Sequence, residues 1–382
     1  MRKLTQILTA IIIGGLLIVK AQAHEIWVTA YYTGWRQDRL KPEDIDFHAI
    51  THLVHFSVVP RQDGTLDTAV NMLTPANIKA VVLAAHDAGK KVLFTVGGQD
   101  TRTQFEGAIS KKHRKAFIAA LVSFLRDNSY DGIDIDMEDI LPRDNHDYTR
   151  FIQELRTQLN NFTPRPLLTA AVLWNPRLFS KLAANFDQIN LMTYNLSGPY
   201  PGWVVWHSGS LYDGGQKFPN EQVKLPSVDG LVETFLAAGV PRSKLGIGLS
   251  FNGYVWSGGA VSQPLQEWKV IPVIKNVPYS SLAKTYHIKE YDKSSPGYHW
   301  DAQAQAAYLS IKGANPSESQ FVSYDNEVTA RKMIQYVRRK KIGGLIVWDI
   351  GAGYRVEQAP DHRDILLQAV KQARLASTES AP

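Results

Sequence analysis

Apolar and polar residues along this chain follow two alternating patterns. Short runs rich in β-branched and aromatic residues indicate strands, and the segments between them show the helical spacing of apolar positions. The strand pattern occurs at residues 27–33, 50–58, 91–96, 130–138, 167–173, 188–194, 245–251 and 343–348. Helices are predicted at residues 42–47, 75–88, 111–126, 144–161, 228–238, 327–341 and 361–373. Eight successive strands with helices between them predict an α/β fold, the (β/α)8 TIM barrel.

The stretch between the last two strands interrupts this rhythm. Residues 255–323 contain several prolines and short apolar runs, and one segment, 302–311, is predicted to be helical. We therefore expect a small α+β insertion here, within a domain of residues 24–376. A doubly wound open sheet is the alternative architecture. It is disfavoured because the first strand is not followed by a glycine-rich phosphate loop.

The fourth strand carries a row of acids. Apolar and acidic residues alternate from Ile133 until the run ends on Glu138. Successive side chains of a strand point to opposite faces, so Asp134, Asp136 and Glu138 share one face. Neighbouring members are about 6–7 Å apart at the backbone, and like charges this close raise the pKa of at least one carboxyl. A carboxylic acid that is protonated near neutral pH is what general acid catalysis requires.

Two other interpretations of this acid row are open. A solvated strand face would need an edge strand, whereas alternating strands and helices imply a parallel sheet that is covered on both faces. A site for Mg²⁺ or Ca²⁺ could use three carboxylates, but no supporting cluster of ligands is evident elsewhere. No histidine pair has a spacing such as H-E-x-x-H, so we predict no metal site. Catalytic acids are the favoured interpretation.

At these residues the chain resembles a known family. The segment 131–138, D-G-I-D-I-D-M-E, resembles the active-site signature of family 18 glycoside hydrolases, the chitinases and their relatives. The segment 192–195, M-T-Y-N, resembles the family's M-x-Y-D, and the segment 95–98, T-V-G-G, resembles its S-x-G-G. The resemblance covers most of the chain from residue 24 onward. It implies a retaining hydrolase that needs no cofactor.

The resemblance also implies a mechanism in which the substrate supplies the nucleophile. Glu138 would protonate the glycosidic oxygen while the acetamido carbonyl of the sugar attacks the anomeric carbon to form an oxazolinium ion. Asp136 would accept a hydrogen bond from the acetamido N–H and share a proton with Asp134. Tyr194 would donate its hydroxyl to the acetamido carbonyl.

The resemblance also implies further sugar-binding residues at the ends of strands, and the loop after the sixth strand adds one more candidate. They are Tyr31, Trp35, Phe56, Gly98, Met192, Asn195, Trp203 and Trp348. Trp203 belongs to the loop 200–207, whose aromatic residues could stack on sugars or form the core of the loop. Asn195 replaces the family's usual aspartate, which removes a negative charge and should lower the pKa of Glu138.

Two more departures from the family pattern concern sugar contacts. Gln99 stands where many members have a tryptophan, so one sugar platform is expected to be missing. Asn252 and Tyr254 replace the tyrosine and arginine of the F-Y-G-R segment, which puts the family's contacts to the leaving group in doubt.

The first 23 residues have the features of a secretory signal peptide. Arg2 and Lys3 precede an apolar run at 7–19, and the segment 21–23, A-Q-A, fits a cleavage site. We expect a secreted or periplasmic bacterial protein that is not membrane-bound after cleavage, with a disordered tail at 377–382. Three lysines and arginines in the leader account for half of the formal net charge of +6. This small basic excess gives no indication of nucleic acid binding.

The expected substrate is chitin or a chitooligosaccharide, cleaved at β-1,4-linked N-acetylglucosamine. One alternative is an endo-β-N-acetylglucosaminidase that acts on glycoprotein or cell-wall glycans. Another is a non-catalytic, lectin-like barrel that binds chitin. We expect a monomer, and since the chain has no cysteine, its stability must come from a large core and not from disulfides.

Overall fold

The computed structural model describes residues 25–376 except 220 and 290–293. Eight parallel strands, numbered here as the first to eighth barrel strands, are Trp27–Thr33, His52–Pro60, Lys91–Gly97, Gly132–Asp136, Leu167–Val172, Gln188–Leu191, Leu245–Ser250 and Gly344–Trp348. Each pairs with its neighbours in sequence order, and the first strand pairs with both the second and the eighth. The sheet therefore closes, and the predicted (β/α)8 barrel is confirmed. The predicted signal peptide and C-terminal tail lie outside the described residues.

Helices surround this barrel. They are α1 (Pro75–Asp87), α2 (Arg102–Ile109), α3 (Arg114–Asp127), α4 (Asn145–Leu159), α5 (Pro176–Leu182), α6 (Val228–Ala237), α7 (Tyr279–Thr285), α8 (Glu327–Lys340), α9 (Ile350–Gly353) and α10 (Ile365–Leu375). Single 3-10 turns occur at Gly34–Arg36, Pro42–Asp44, Pro142–Asp144, Arg242–Lys244, Pro316–Glu318 and Pro360–His362. None of the described helices is long and apolar enough to cross a membrane.

The start of α1 shows how local sequence sets these boundaries. Thr74 is extended, and its side chain accepts a hydrogen bond from the Asn77 backbone N–H. Pro75 follows at the first helical position, where it loses no hydrogen bond because that N–H would be unpaired in any case. Ile78, Val81, Val82 and Ala85 then form the buried face of the helix.

The main core lies between the outer face of the barrel and the helices. Ile133 and Ile135 of the fourth strand are fully buried in it. Truncation of such a side chain to alanine typically costs about 2–5 kcal/mol of unfolding free energy. The same alternation that sends these isoleucines outward sends Asp134 and Asp136 into the barrel.

The insertion between the seventh and eighth strands is an antiparallel sheet of five strands. In chain order they are Asn252–Ser257, Val273–Pro278, Tyr298–Asp301, Ala306–Ile311 and Gln320–Tyr324, and α7 follows the second of them. The predicted α+β insertion is confirmed, but the helix predicted at 302–311 is wrong. Ala306–Ile311 pairs with strands on both sides, and these tertiary hydrogen bonds override a weak local preference for helix.

All eight barrel strands run in one direction, so their carboxyl ends meet at one opening, here called the mouth. The helices return the chain to the opposite end. There the Arg374 guanidinium in the last turn of α10 donates to the backbone carbonyl of His48, ahead of the second strand. A further two-residue strand, Leu66–Asp67, pairs with the mouth end of the second barrel strand.

Candidate active site

Asp134 lies deepest in the acid row and is enclosed by hydroxyl groups. It is fully buried and accepts hydrogen bonds from Tyr31 at 2.9 Å, Thr95 at 3.0 Å and Thr169 at 2.6 Å. Burial raises the pKa of Asp134, and the three hydroxyl donors offset part of that rise. Within the described part of the chain, this carboxyl is therefore held by neutral donors and by no cationic side chain.

Asp136 is the next acid toward the mouth. It is 3% exposed, and burial, followed by the charges of Glu138 and Asp134, holds its pKa well above the ordinary value. Its Oδ1 atom has no hydrogen-bond partner among the described residues. The proton shared with Asp134, expected from the sequence, is not seen as a direct hydrogen bond between the described side chains. Asp136 thus retains an acceptor for another group.

Glu138 completes the row just beyond the end of the fourth strand. Its side chain is only half-buried, so it faces the mouth. Burial is the main cause that raises its pKa to about 7, and the charges of Asp139 and Asp100 add to the rise. Near neutral pH a large fraction of Glu138 is therefore protonated, as a general acid requires.

Two buried tyrosines face the acids. Burial first, and then nearby carboxylates, raise the pKa of Tyr31 and the pKa of Tyr194 well above the ordinary value. For Tyr194 these carboxylates include Asp136 and Glu138. Both phenols therefore stay protonated and can act as hydrogen-bond donors.

Aromatic rings from three neighbouring strands form a floor beside the acids. Trp348 packs against Phe56 with ring centroids 4.8 Å apart and against Tyr31 at 5.7 Å. Trp35, which is 39% exposed, contacts the outer side of Phe56 at 5.8 Å. These rings give the mouth an apolar surface on the side of strands one, two and eight.

Two glycines at the end of the third strand allow this close arrangement. Gly97 and Gly98 have φ values of 111° and 112°, which favour glycine. A Cβ on Gly97 would lie 2.2 Å from the Asp136 carbonyl oxygen, and one on Gly98 would lie 2.7 Å from the Phe56 ring. Gly98 also donates its N–H to the Asp136 carbonyl at 2.8 Å. Side chains here would push the third strand away from the acid row.

The end of the sixth strand carries Met192 and Asn195. Met192 is 7% exposed and packs with Tyr31, Phe56 and Tyr194. Asn195 is exposed, in a left-handed conformation with φ of 57°. Its backbone N–H donates to Ser208 Oγ at 3.1 Å. Met192 is thus buried in the same cluster as the aromatic rings, whereas Asn195 is exposed beyond the end of the strand.

The loop 200–207 divides between surface and core. Tyr200 is 57% exposed, but Trp206 is 1% exposed and its indole N–H donates to the Pro226 carbonyl. Trp203 is half-buried between them, with ring centroids 5.0 Å from Tyr200 and 4.7 Å from Phe218. The loop-core alternative therefore applies to Trp206, whereas sugar stacking by the exposed part of the loop stays a prediction.

Comparison with known proteins identifies the family. Residues 28–353 match the model of the glycosyl hydrolases family 18. The chain belongs to this family. It is 28% identical over 354 residues to a probable endochitinase of Caenorhabditis elegans, and the match covers 84% of this chain and 55% of that protein. It is 23% identical to a chitinase-like effector of Moniliophthora perniciosa, covering 89% and 85% of the two chains.

A solved family 18 structure has the same fold. The Group IV chitinase of Ostrinia furnacalis, crystallised in complex with allosamidin, superposes with a TM-score of 0.77 and 22% identity. The match covers 91% of this chain and 98% of that one. Within the described residues of this chain, no three His, Cys, Asp or Glu side chains are grouped so that they could hold a metal ion.

Sequence reasoning missed Thr169 and gave Thr95 only as the first residue of the T-V-G-G motif. Thr169 on the fifth strand and Thr95 on the third are the register partners of Asp134 on either side. The available signal was that both neighbouring strands carry a polar residue at a barrel-facing position, from which it can donate a hydrogen bond to Asp134. Trp174, just after the fifth strand and 60% exposed, was also missed because it lies outside every motif.

Proposed function

We propose that this family 18 protein is a retaining glycosidase that hydrolyses β-1,4 linkages between N-acetylglucosamine units of chitin or chitooligosaccharides. The observation that carries the proposal is Glu138. It is a half-buried acid with a pKa raised to about 7, and it stands at the barrel mouth where TIM barrels hold their catalytic groups. The aromatic floor of Trp348, Phe56 and Tyr31 supplies the flat apolar surface on which a pyranose ring can stack.

In the first step, Glu138 gives its proton to the glycosidic oxygen, and the bond from that oxygen to the anomeric carbon breaks. The acetamido carbonyl oxygen of the same sugar forms a new bond to the anomeric carbon, which yields an oxazolinium ion. Asp136 accepts a hydrogen bond from the acetamido N–H and stabilises the positive charge. Its unpartnered Oδ1 supports this role. Tyr194 donates its hydroxyl to the carbonyl oxygen and orients it.

In the second step, the Glu138 carboxylate takes a proton from water while the water oxygen attacks the anomeric carbon from the face that the leaving sugar vacated. The oxazolinium ring opens, the acetamido group is restored and Glu138 is protonated again. Two inversions give net retention. Because Glu138 must begin protonated, the rate of the first step falls as the pH rises through about 7.

Substrate assistance is favoured over attack by a protein carboxylate. Asp136 and Asp134 are the neighbouring acids, and both are buried beneath Glu138, with exposures of 3% and 0%. A nucleophilic carboxylate must reach the anomeric carbon in the open part of the cleft. The hydroxyl donors that hold Asp134 fit a supporting electrostatic role better.

We further propose that the protein acts outside the cytoplasm as a monomer. The segment 1–23 has the composition of a secretory leader. Fractionation of cells that produce the full chain, together with light scattering of the purified protein, tests both statements. Retention in the cytoplasm or a dimer at micromolar concentration would contradict them.

The decisive experiment is hydrolysis of N-acetylglucosamine hexamer, with the anomer of the first product read by NMR. We expect the parent to release the β-anomer and Glu138→Gln to lose at least about 100-fold in kcat. Glu357→Gln, at an exposed glutamate with no contact to the acid row, is the matched control and should match the parent. Initial release of the α-anomer would overturn the mechanism. Binding without cleavage would indicate the lectin-like alternative, and cleavage of glycoprotein glycans alone would indicate the other hydrolase.

A further inference from the structure

Trp174 lies at the mouth of the barrel without a structural role. It follows the fifth strand, is 60% exposed, and within the described part of the chain its indole makes no hydrogen bond and no ring contact. Trp206, in contrast, is 1% exposed and donates its indole N–H to the Pro226 carbonyl. The core therefore gives no reason for a tryptophan at position 174.

The backbone around Trp174 is nevertheless well fixed. Asn175 adopts a left-handed conformation with φ of 76°, and its side-chain amide donates to Asn145 Oδ1 at 2.8 Å. Pro176 is the first residue of α5, and the N–H of Leu178 donates a hydrogen bond to the Asn175 carbonyl at 3.0 Å. An aromatic ring on a rigid turn loses little conformational freedom on binding, which favours affinity.

A cavity of about 200 Å³ opens next to this indole. Its walls come from both sides of Glu138 in the chain, from the end of the fifth strand and from α5, and they include Met137, Asp139, Leu141, Trp174 and Phe179. Most of these side chains are apolar, while Asp139 is exposed at the rim. Such a cavity is much larger than the roughly 30 Å³ that one water occupies, and it can accept an acetyl methyl group.

The ring of barrel strands fixes where Trp174 stands relative to the acid. The fifth strand adjoins the fourth, which leads to Glu138, and it lies diametrically opposite the first strand, which leads to Trp35. The aromatic floor belongs to strands one, two and eight. A sugar chain with its reacting unit on that floor and its scissile bond at Glu138 therefore continues toward Trp174. Gln99 and Asp100 after the third strand are exposed and polar, so that side offers no competing ring.

We propose that Trp174 and the adjoining cavity bind the leaving-group side of the substrate. The indole stacks on the pyranose face of an N-acetylglucosamine unit, and the cavity beside Met137 and Leu141 receives its acetyl group. Asp139 accepts a hydrogen bond from a sugar hydroxyl at the rim. This inference rests on the proposed function, and it makes Trp174 a determinant of substrate length.

The test compares the activity of Trp174→Ala with that of the parent on two substrates. The chitooligosaccharide hexamer places a sugar on the leaving-group side, whereas the oxazoline of N,N′-diacetylchitobiose does not. We expect kcat/KM for the hexamer to fall about three- to tenfold, the range of one aromatic stacking contact. The rate of oxazoline hydrolysis should stay within about twofold of the parent's rate. The rate of oxazoline transfer to an added N-acetylglucosamine acceptor should fall as much as kcat/KM for the hexamer does. Trp174→Phe, which keeps an aromatic face, should restore most of the loss.

Leu83→Ala is the matched control, because Leu83 is a 56% exposed apolar residue on α1, away from the mouth. An unchanged hexamer rate in Trp174→Ala, with an active parent, would overturn this inference and leave the proposed function intact. Equal losses on hexamer and oxazoline would also overturn it, since they indicate a structural role. A second test needs no turnover. Calorimetry measures the affinity of the hexamer for Glu138→Gln and for the double variant that also carries Trp174→Ala. Equal affinities there would contradict the inference even if the parent proved inactive.

Discussion

The barrel mouth and the outer wall each hold a group of buried acids, and only the first has the surroundings of an active site. On the outer wall, a cavity of about 440 Å³ lies at helices α8 and α10, and its lining includes the buried Glu327 and Asp364 and the half-buried Asp46. Burial raises the pKa of Asp364 to about 7, as it does for Glu138 at the mouth. A raised pKa and a large cavity therefore do not suffice to identify a catalytic acid.

The two regions differ in what surrounds the carboxyls. On the outer wall, Lys371 and Gln368 each donate to Asp46 at 2.7 Å. Burial opposes ionisation there, but these contacts hold the pKa of Asp46 below its ordinary value. In the mouth, Asp134 accepts only from hydroxyl groups among the residues that the structure describes. Acids that no cation neutralises can respond to positive charge that forms in a bound sugar.

The largest predicted difference between the regions is catalytic. Asp136→Asn should lower kcat on the hexamer about 100- to 1,000-fold, because it removes the negative charge that stabilises the oxazolinium ion. Asp364→Asn should leave kcat within about twofold of the parent. Initial-rate kinetics of the two variants decide this, and similar losses of kcat in both variants would contradict the predicted difference between the two regions.

The hydroxyl donors around Asp134 are expected to have a smaller effect. Thr169→Val removes the 2.6 Å hydrogen bond to Asp134 and should lower kcat about tenfold, the cost of one hydrogen bond to a charged group. Because that bond lowers the pKa of Asp134, its loss should also move the acidic limb of the pH profile to higher pH. Thr157→Val, on the exposed face of α4, is the control. A lower melting temperature with an unchanged pH profile would indicate a packing role only.

Asp364 should affect stability and not activity. Its folded pKa is raised to about 7, whereas an unfolded aspartate titrates near 3.9. The folded state thus favours the protonated form, and stability is lost as the pH rises from about 4 to about 7. Asp364→Asn should therefore gain at least about 1 kcal/mol of unfolding free energy relative to the parent between pH 5 and pH 8. Urea unfolding measures this, with the exposed Asp127→Asn as a control that should show no such trend.

The smallest expected effect concerns Asn195. Asn195→Asp adds a negative charge at the rim of the mouth and should raise the pKa of Glu138, as Asp139 and Asp100 already do. The upper limb of the pH profile should move to higher pH by about 0.5 unit or less, since the position is exposed and solvent screens the charge. The pH profiles of Asn195→Asp and of the parent, measured at low and at high salt, test this. Identical upper limbs for the two proteins at both salt concentrations would rule it out.

The sequence could predict the barrel and the acid row because both depend on local periodicity. Alternation along residues 133–138 is enough to place the acids inside and the isoleucines outside. The helix predicted at 302–311 was wrong because this short segment is held by strands on both sides, which single-segment patterns do not show. Tertiary pairing decided its structure.

The candidate site was predictable where its residues belong to short motifs that can be recognised one segment at a time. Thr169 acts on Asp134 from the next strand, 35 residues away, so its role depends on the register between strands. Trp174 carries no neighbouring polar signal, and its importance follows from the circular order of the strands. The division of loop 200–207 into an exposed Tyr200 and a buried Trp206 depends on packing that composition does not encode.

The return of α10 to the end of the barrel opposite the mouth has a practical consequence. The first barrel strand also begins at that end, so both ends of the described chain emerge on the face that is farthest from Glu138. A support resin, a surface anchor or a fused module attached at either terminus would leave the cleft facing outward. Under the proposed function, immobilised protein should then hydrolyse soluble oligomers at close to the rate of the free protein, provided that diffusion to the support is not limiting.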